Sequence, residues 1–237
     1  MGNQPEHQHL GRAAEALLIG NGEPPSRALF DHLVSYRPLL LCADGGAHTA
    51  LEYGYTPDYI VGDLDSVTAS GRARVPESRL VRVDADNTGT DMQKVLEQAL
   101  RLGVRRAVLA GFTGRRTDHI LWNLSLLRTF ADRVDLYLAD DHCDIRLIRG
   151  HITLTGYPGM KLSLCPLMGP VHGIRTSGLR FPLQDESLIP GVRDGISNEI
   201  SSNPVSVTVG EGDLLLVLQR EGAIDLGVQY HDGGPEN

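Results

Sequence analysis

The run VGDLDS, residues 61–66, sets two carboxylates, Asp63 and Asp65, two positions apart at the end of an apolar stretch. In a strand, residues two apart project to one face, so both carboxylates would point the same way. Paired carboxylates repel unless a cation or a proton lies between them. Two readings are open at this point. The pair either spreads over a solvated turn, where Asp and Ser are common, or binds a hard cation through clustered oxygens. Further acidic residues stand in comparable places: Asp44 in ADGG (43–46), Asp91 in TGTD (88–91) and Asp118 in GFTGRRTDH (111–119). Each alone reads as a helix-start or turn residue. Ligands of an open parallel sheet bind beyond the carboxyl ends of its strands, and all five aspartates would converge there. Gly45, Gly46, Gly62, Gly89, Gly111 and Gly114 lie among them, where backbone can come close to a ligand. Arg116 offers a fork suited to phosphate oxygens. This set suggests Mg²⁺ with a polyphosphate. The chain has no GxxxxGK[ST], and no GxGxxG follows its first apolar run, which excludes the P-loop and the dinucleotide fingerprint.

The elements that must hold these residues are legible from the pattern. AEALLIG, PLLLCADGG, PDYIVGD, RLVRVDA, RRAVLAGF and VDLYLAD read as strands. SRALFDHLVSY and AHTALEYG read as the helices between them. Met92, Val95, Leu96, Ala99 and Leu100 follow helical spacing, with Thr90 as cap and Gly103 as stop. Ile120, Leu121, Leu124 and Leu127 mark the next helix. Such alternation predicts a mostly parallel sheet covered by helices over residues 12–141, a Rossmann-like α/β fold. From 142 to 221 the texture changes to short strand-like runs (HITLTG, KLSLCPLM, GIRTSGLRFPL, GISNEI, VSVTVG, DLLLVLQ) separated by turn residues. That half predicts an all-β sandwich. Residues 1–11 and 222–237 read as disordered tails.

Composition narrows the partners. The 237 residues carry a formal net charge of −8, which argues against a nucleic-acid surface and suits a protein that meets cations. No apolar run reaches membrane-spanning length, and the N-terminus lacks an export-signal layout. Cys42, Cys143 and Cys165 are odd in number and far apart. They predict reduced thiols in a cytoplasmic protein, with neither a disulfide framework nor a zinc site.

The ordered set NGE, ADGGA, PDYIVGDLDS, TDMQKVLEQAL and GRRTDHILWNL resembles the thiamine pyrophosphokinase (thiamine diphosphokinase) family. TSGLRFPL and GISNEI resemble that family's thiamine-side motifs, and the match spans residues 17–218. The resemblance implies transfer of the terminal pyrophosphate of Mg²⁺–ATP to the hydroxyethyl oxygen of thiamine, leaving AMP. It implies a homodimer with active sites near the subunit interface. Carried over by position, Asp63 and Asp65 would hold the metal, with Asp91 and Asp118 completing the catalytic carboxylates. Either of the latter is a candidate to accept the hydroxyl proton. Asn21, Asp44, Gly45, Gly46, Asn87, Thr90 and Arg116 would contact the nucleotide, and Phe181, Ser197 and Asn198 the thiamine. Phe181 reads equally as a sandwich-core residue. His48, Gly89 and Arg115 depart from the family pattern, which bears on nucleotide preference. Two alternatives accompany this reading: a pyrophosphokinase acting on a pterin alcohol, and a non-catalytic thiamine or nucleotide sensor.

Overall fold

A computed structural model describes residues 15–65, 67–83, 89–222 and 227–231. The chain divides into two compact units between Arg146 and Leu147.

The first unit alternates strand and helix in the order β1 (Ala16–Ile19), α1 (Arg27–Ser35), β2 (Leu39–Ala43), α2 (Gly46–Glu52), β3 (Tyr59–Gly62), α3 (Ala69–Arg72), β4 (Leu80–Arg82), α4 (Asp91–Arg101), β5 (Arg106–Ala110), α5 (Thr117–Phe130), β6 (Asp135–Ala139) and β7 (Cys143–Ile148), whose last two residues enter the second unit. Its strands lie in the order β7-β6-β5-β1-β2-β3-β4. All neighbours are parallel except β7, which runs antiparallel to β6. The α/β expectation holds for this half. β1 is buried at every residue, as a strand covered on both faces must be. The chain leaves β1 toward β2 on one side and returns to it as β5 on the other. The gap between the carboxyl ends of β1 and β5 is therefore the topological switch point of the sheet, where open α/β folds bind ligands.

Helix packing follows the sequence in one case and departs from it in another. In α4, Met92, Val95, Leu96 and Ala99 are buried, and the helix lies over β1, β2 and β3. Its stop, Gly103, takes the left-handed conformation, φ 83°. In α5 the predicted stripe is buried at Leu127, half-buried at Ile120 and Leu124, and fails at Leu121. Leu121 is 66% exposed and Trp122 52%, while the buried face is Asn123, Leu126, Leu127 and Phe130. A polar residue occupies a core-facing position there, which apolar periodicity cannot detect.

The second unit contains β8 (His151–Thr155), β9 (Lys161–Pro166), β10 (Val171–Ser177), β11 (Gln184–Leu188), β12 (Gly195–Glu199), β13 (Val205–Thr208), β14 (Leu214–Gln219) and β15 (Gln229–His231). β12-β9-β14 and β11-β10-β13-β8-β15 form two antiparallel layers. Between them Leu154, Leu162, Leu164, Ile174, Val205, Val207, Leu216 and Leu218 form one apolar core, as in a sandwich. No helix occurs among the described residues of this unit. The expectation of a disordered tail from Gly222 fails at residues 229–231. They pair with β8 as β15, because Val228 and Tyr230 are apolar enough to bury.

Candidate active site

The loops after β1 and β5 are joined by their backbones. Gly20 N–H donates to Ala110 C=O at 2.8 Å, Gly22 N–H to Gly111 C=O at 2.6 Å, and Glu23 N–H to Thr113 C=O at 2.7 Å. Glycine is needed for this approach: a Cβ at Gly20 would lie 2.4 Å from the Gly111 oxygen. Beside this seam a cavity of about 270 Å³ opens at the switch point. Asn21 and Gly22 line it from β1, Phe112–Arg116 from β5, Thr90–Met92 from the start of α4, and His119 and Asn123 from one face of α5.

The carboxylates gather at the neighbouring strand ends. One oxygen each of Asp44, Asp63 and Asp65 lies within 4.8 Å of the other two. Asp44 directly follows β2, is buried, and takes φ 28°. Its N–H donates to Val61 C=O at 2.9 Å, which fixes it beside β3. The Asp63–Asp65 pair does not project from a strand as its spacing predicts, because β3 stops at Gly62. Leu64 instead turns into the left-handed region, φ 66°, and buries its side chain completely. Asp65 N–H donates to Asp63 Oδ1 at 3.2 Å across this turn. A buried leucine between two carboxylates holds the turn down on the core. The Asn21 amide links the cluster to the cavity: a Cβ at Gly45, next to Asp44, would meet it at 2.5 Å.

Arg116 and Asp118 form a forked pair, with Nε donating to Oδ1 at 3.1 Å and Nη2 to Oδ2. This pair holds the Asp118 carboxyl down to about 2, chiefly through the Arg116 hydrogen bond. Asp118 is thus a weak proton acceptor, and Arg116 is committed to it in the free protein. Asp91 is the first residue of α4 and faces the cavity, with Lys94 3.8 Å away. Thr90 precedes it at the cap position, yet its hydroxyl makes no cap bond.

In the second unit Phe181 is 60% exposed, which removes the core alternative for it. The Arg180 guanidinium lies 5.5 Å from its ring centroid. Asn198 is buried, and its amide is spent on backbone. Its Oδ1 accepts from Phe181 N–H at 3.1 Å and Glu199 N–H at 2.9 Å, and its Nδ2 donates to Phe181 C=O at 2.8 Å. Asn198 therefore positions Phe181. Ser197 takes φ 59° and donates its N–H to Ser163 Oγ at 3.1 Å.

Two family models match the chain: "Thiamin pyrophosphokinase, catalytic domain" over residues 30–138, and "Thiamin pyrophosphokinase, vitamin B1 binding domain" over 151–214. The chain belongs to the thiamin pyrophosphokinase family. The first model falls in the unit that carries the carboxylates and the cavity, the second in the β-rich unit. Among curated relatives, thiamine pyrophosphokinase of Bacillus subtilis is 26% identical over 184 residues, spanning 76% of this chain and 86% of that protein. Thiamine pyrophosphokinase 3 of Oryza sativa is 28% identical over 235 residues, spanning 86% of each. The crystal structure of thiamin pyrophosphokinase from Geobacillus thermodenitrificans superposes with a TM-score of 0.74 at 24% identity. It covers 88% of this chain and 99% of that one, and it establishes the fold.

Of the residues that the family resemblance singles out, Asn21, Thr90, Asp91 and Arg116 line the cavity. Asp44, Asp63 and Asp65 form the carboxylate cluster, and Gly45 and Gly46 cap and begin α2. Asp118 faces Arg116. Asn87 lies outside the described residues. Sequence reasoning placed Asp44 on the same rim as the other two carboxylates but counted it with the nucleotide contacts and not with the metal ligands. It also passed over His119 and Asn123, although both stand in the quoted GRRTDHILWNL and their i, i+4 spacing puts them on one helix face.

Proposed function

We propose that this chain transfers the pyrophosphoryl group of Mg²⁺–ATP to the hydroxyethyl oxygen of thiamine. The oxygen attacks the β-phosphorus, the bond from that phosphorus to the α-phosphate oxygen breaks, and AMP leaves as thiamine diphosphate forms with loss of the hydroxyl proton. The observation that carries this reading is the cluster of Asp44, Asp63 and Asp65 within 4.8 Å, in a chain whose β-rich unit matches a vitamin B1 binding model. Three carboxylate oxygens at that spacing form the hard donor set that a divalent ion requires. These three residues would hold Mg²⁺, which when bound neutralises phosphate charge.

The protein's own residues then do the positioning, which supplies most of the catalysis in such reactions. We assign Arg116 to the phosphates, exchanging its Asp118 partner for them on binding. Asp91 is assigned the hydroxyl proton, because it lines the cavity and Asp118 does not. Asn21 and Thr90 are assigned to the nucleotide, and Phe181, beside Ser197 and held by Asn198, to thiamine. We further infer a homodimer, supported in the β-rich unit by exposed Val192 and Ile196. A cytoplasmic setting is inferred from the free cysteines Cys42, Cys143 and Cys165. No helix among the described residues is long and apolar enough to cross a membrane.

The test is AMP release from ATP with and without thiamine, with a pterin alcohol as the competing acceptor. Thiamine-dependent AMP is the expected result. AMP with the pterin alcohol alone would overturn the acceptor assignment, and tight thiamine binding without AMP would make the protein a sensor.

A further inference from the structure

Asn123 lies inside the catalytic unit, 5% exposed, on the cavity wall. Its Nδ2 donates to Phe112 C=O at 2.9 Å. A carbonyl only accepts, so this bond fixes which way the amide faces. Oδ1 is then turned away from Phe112, is buried, and meets no donor among the described residues. A buried acceptor left without a partner is costly to a fold, and such atoms call for an explanation in function. The hydroxyl of Thr90, which also lines this cavity, is likewise buried and unpartnered among the described residues. Two residues of the cavity wall thus carry buried polar atoms without a partner, an amide acceptor and a hydroxyl that can donate or accept.

Resting on the nucleotide reading above, we propose that Asn123 is a specificity-determining residue whose Oδ1 accepts a hydrogen bond from the nucleoside part of the nucleotide. An amide oxygen selects N–H or O–H donors. Phosphate oxygens at neutral pH offer none, so the phosphates do not satisfy it. The nucleoside offers two sources of the same chemistry, the exocyclic amino group of adenine and the ribose hydroxyls. The aminopyrimidine of thiamine also carries a donor, but the vitamin B1 binding model covers the other unit, residues 151–214. A site built around a buried acceptor rejects analogues that lack the matching donor far more strongly than an apolar pocket does.

The test compares kcat/KM for ATP, purine riboside triphosphate (no amino group), 2′-deoxyATP and 3′-deoxyATP, in the full-length parent and in Asn123→Leu. One analogue should fall about 10-fold or more below ATP in the parent, and its identity names the donor. The same ratio should collapse to within about 2-fold in Asn123→Leu, with the KM for thiamine unchanged. Asn123→Ser, which keeps a hydroxyl near Phe112, is the second variant should the leucine fail to fold. A parent that uses all four nucleotides within about 2-fold would overturn the assignment, and so would a penalty that persists undiminished in both variants. Either result leaves the proposed function standing. No AMP from any of the four would overturn that function, and this assignment with it.

Discussion

Asp44→Asn should change the protein's response to magnesium in a direction set by the cluster. The substitution keeps the shape, and asparagine tolerates the left-handed backbone that Asp44 adopts at φ 28°. Without a divalent ion, three carboxylate oxygens no more than 4.8 Å apart repel one another. Two unit charges at that distance repel by about 3 kcal/mol at an effective dielectric of 20. Asp65 is exposed, and screening there reduces the usable figure to about 1 kcal/mol. In EDTA the variant should therefore melt about 2–4 °C above the parent, the usual conversion for a chain of this size. With Mg²⁺ at roughly 100 times its Kd, binding to the native state stabilises the parent by about 2.7 kcal/mol. That raises its Tm by about 5–10 °C, and the order of the two proteins reverses. Differential scanning fluorimetry across a Mg²⁺ titration reads both terms without any turnover. A variant that melts below the parent in EDTA, or that gains as much from Mg²⁺ as the parent does, would refute the cluster as a cation site.

Three further outcomes follow from the same geometry. Asp63→Asn and Asp65→Asn should each lower thiamine-dependent AMP release by about 100-fold or more, the scale of losing a preorganised charge group, with unchanged circular dichroism; near-parental turnover at saturating Mg²⁺ would contradict the metal role. Phe181→Leu should leave Tm within about 1 °C, because surface substitutions are close to neutral, while raising the thiamine KM about 5-fold, the scale of a partly exposed cation–π contact; a clear fall in Tm would place Phe181 in the core after all. Arg116→Gln should let the Asp118 carboxyl, followed by NMR, titrate upward from about 2 toward 3.8. Because that carboxyl is depressed in the folded state, the pair stabilises above the unfolded value near 3.8 and its contribution is lost as pH falls toward 2. An Asp118 titration unmoved by the substitution would contradict the pairing.

Much of the first unit was legible because its strands and helices carry strong, unlike periods. The α4 stripe is buried as read at Met92, Val95, Leu96 and Ala99, with Leu100 half-buried. The α5 face was legible only in part: Leu127 is buried as read, but Asn123 takes a core-facing place that an apolar residue would mark, while Leu121 faces outward. β7 and β11 were missed for a related reason. CDIRLI interrupts its apolar residues with Asp144 and Arg146, and QDESL has one apolar residue in five. Both are held by pairing to β6 and β10 rather than by their own pattern. At the site, the aspartates could be assigned to strand ends one at a time. Their convergence at one end of the sheet was legible too, but the close approach of Asp44 to Asp63 and Asp65 was not, because it depends on two left-handed residues, Asp44 and Leu64, where side chains are unusual. The order of the motifs, more than any one of them, carried the functional reading.

The most direct measurement is the identity of the phosphate products from full-length protein given Mg²⁺, ATP and thiamine, followed by ³¹P NMR. Pyrophosphoryl transfer predicts AMP and thiamine diphosphate appearing in equal amounts, with neither formed when thiamine is omitted. ADP with thiamine monophosphate, or AMP with free pyrophosphate and unchanged thiamine, would contradict the account.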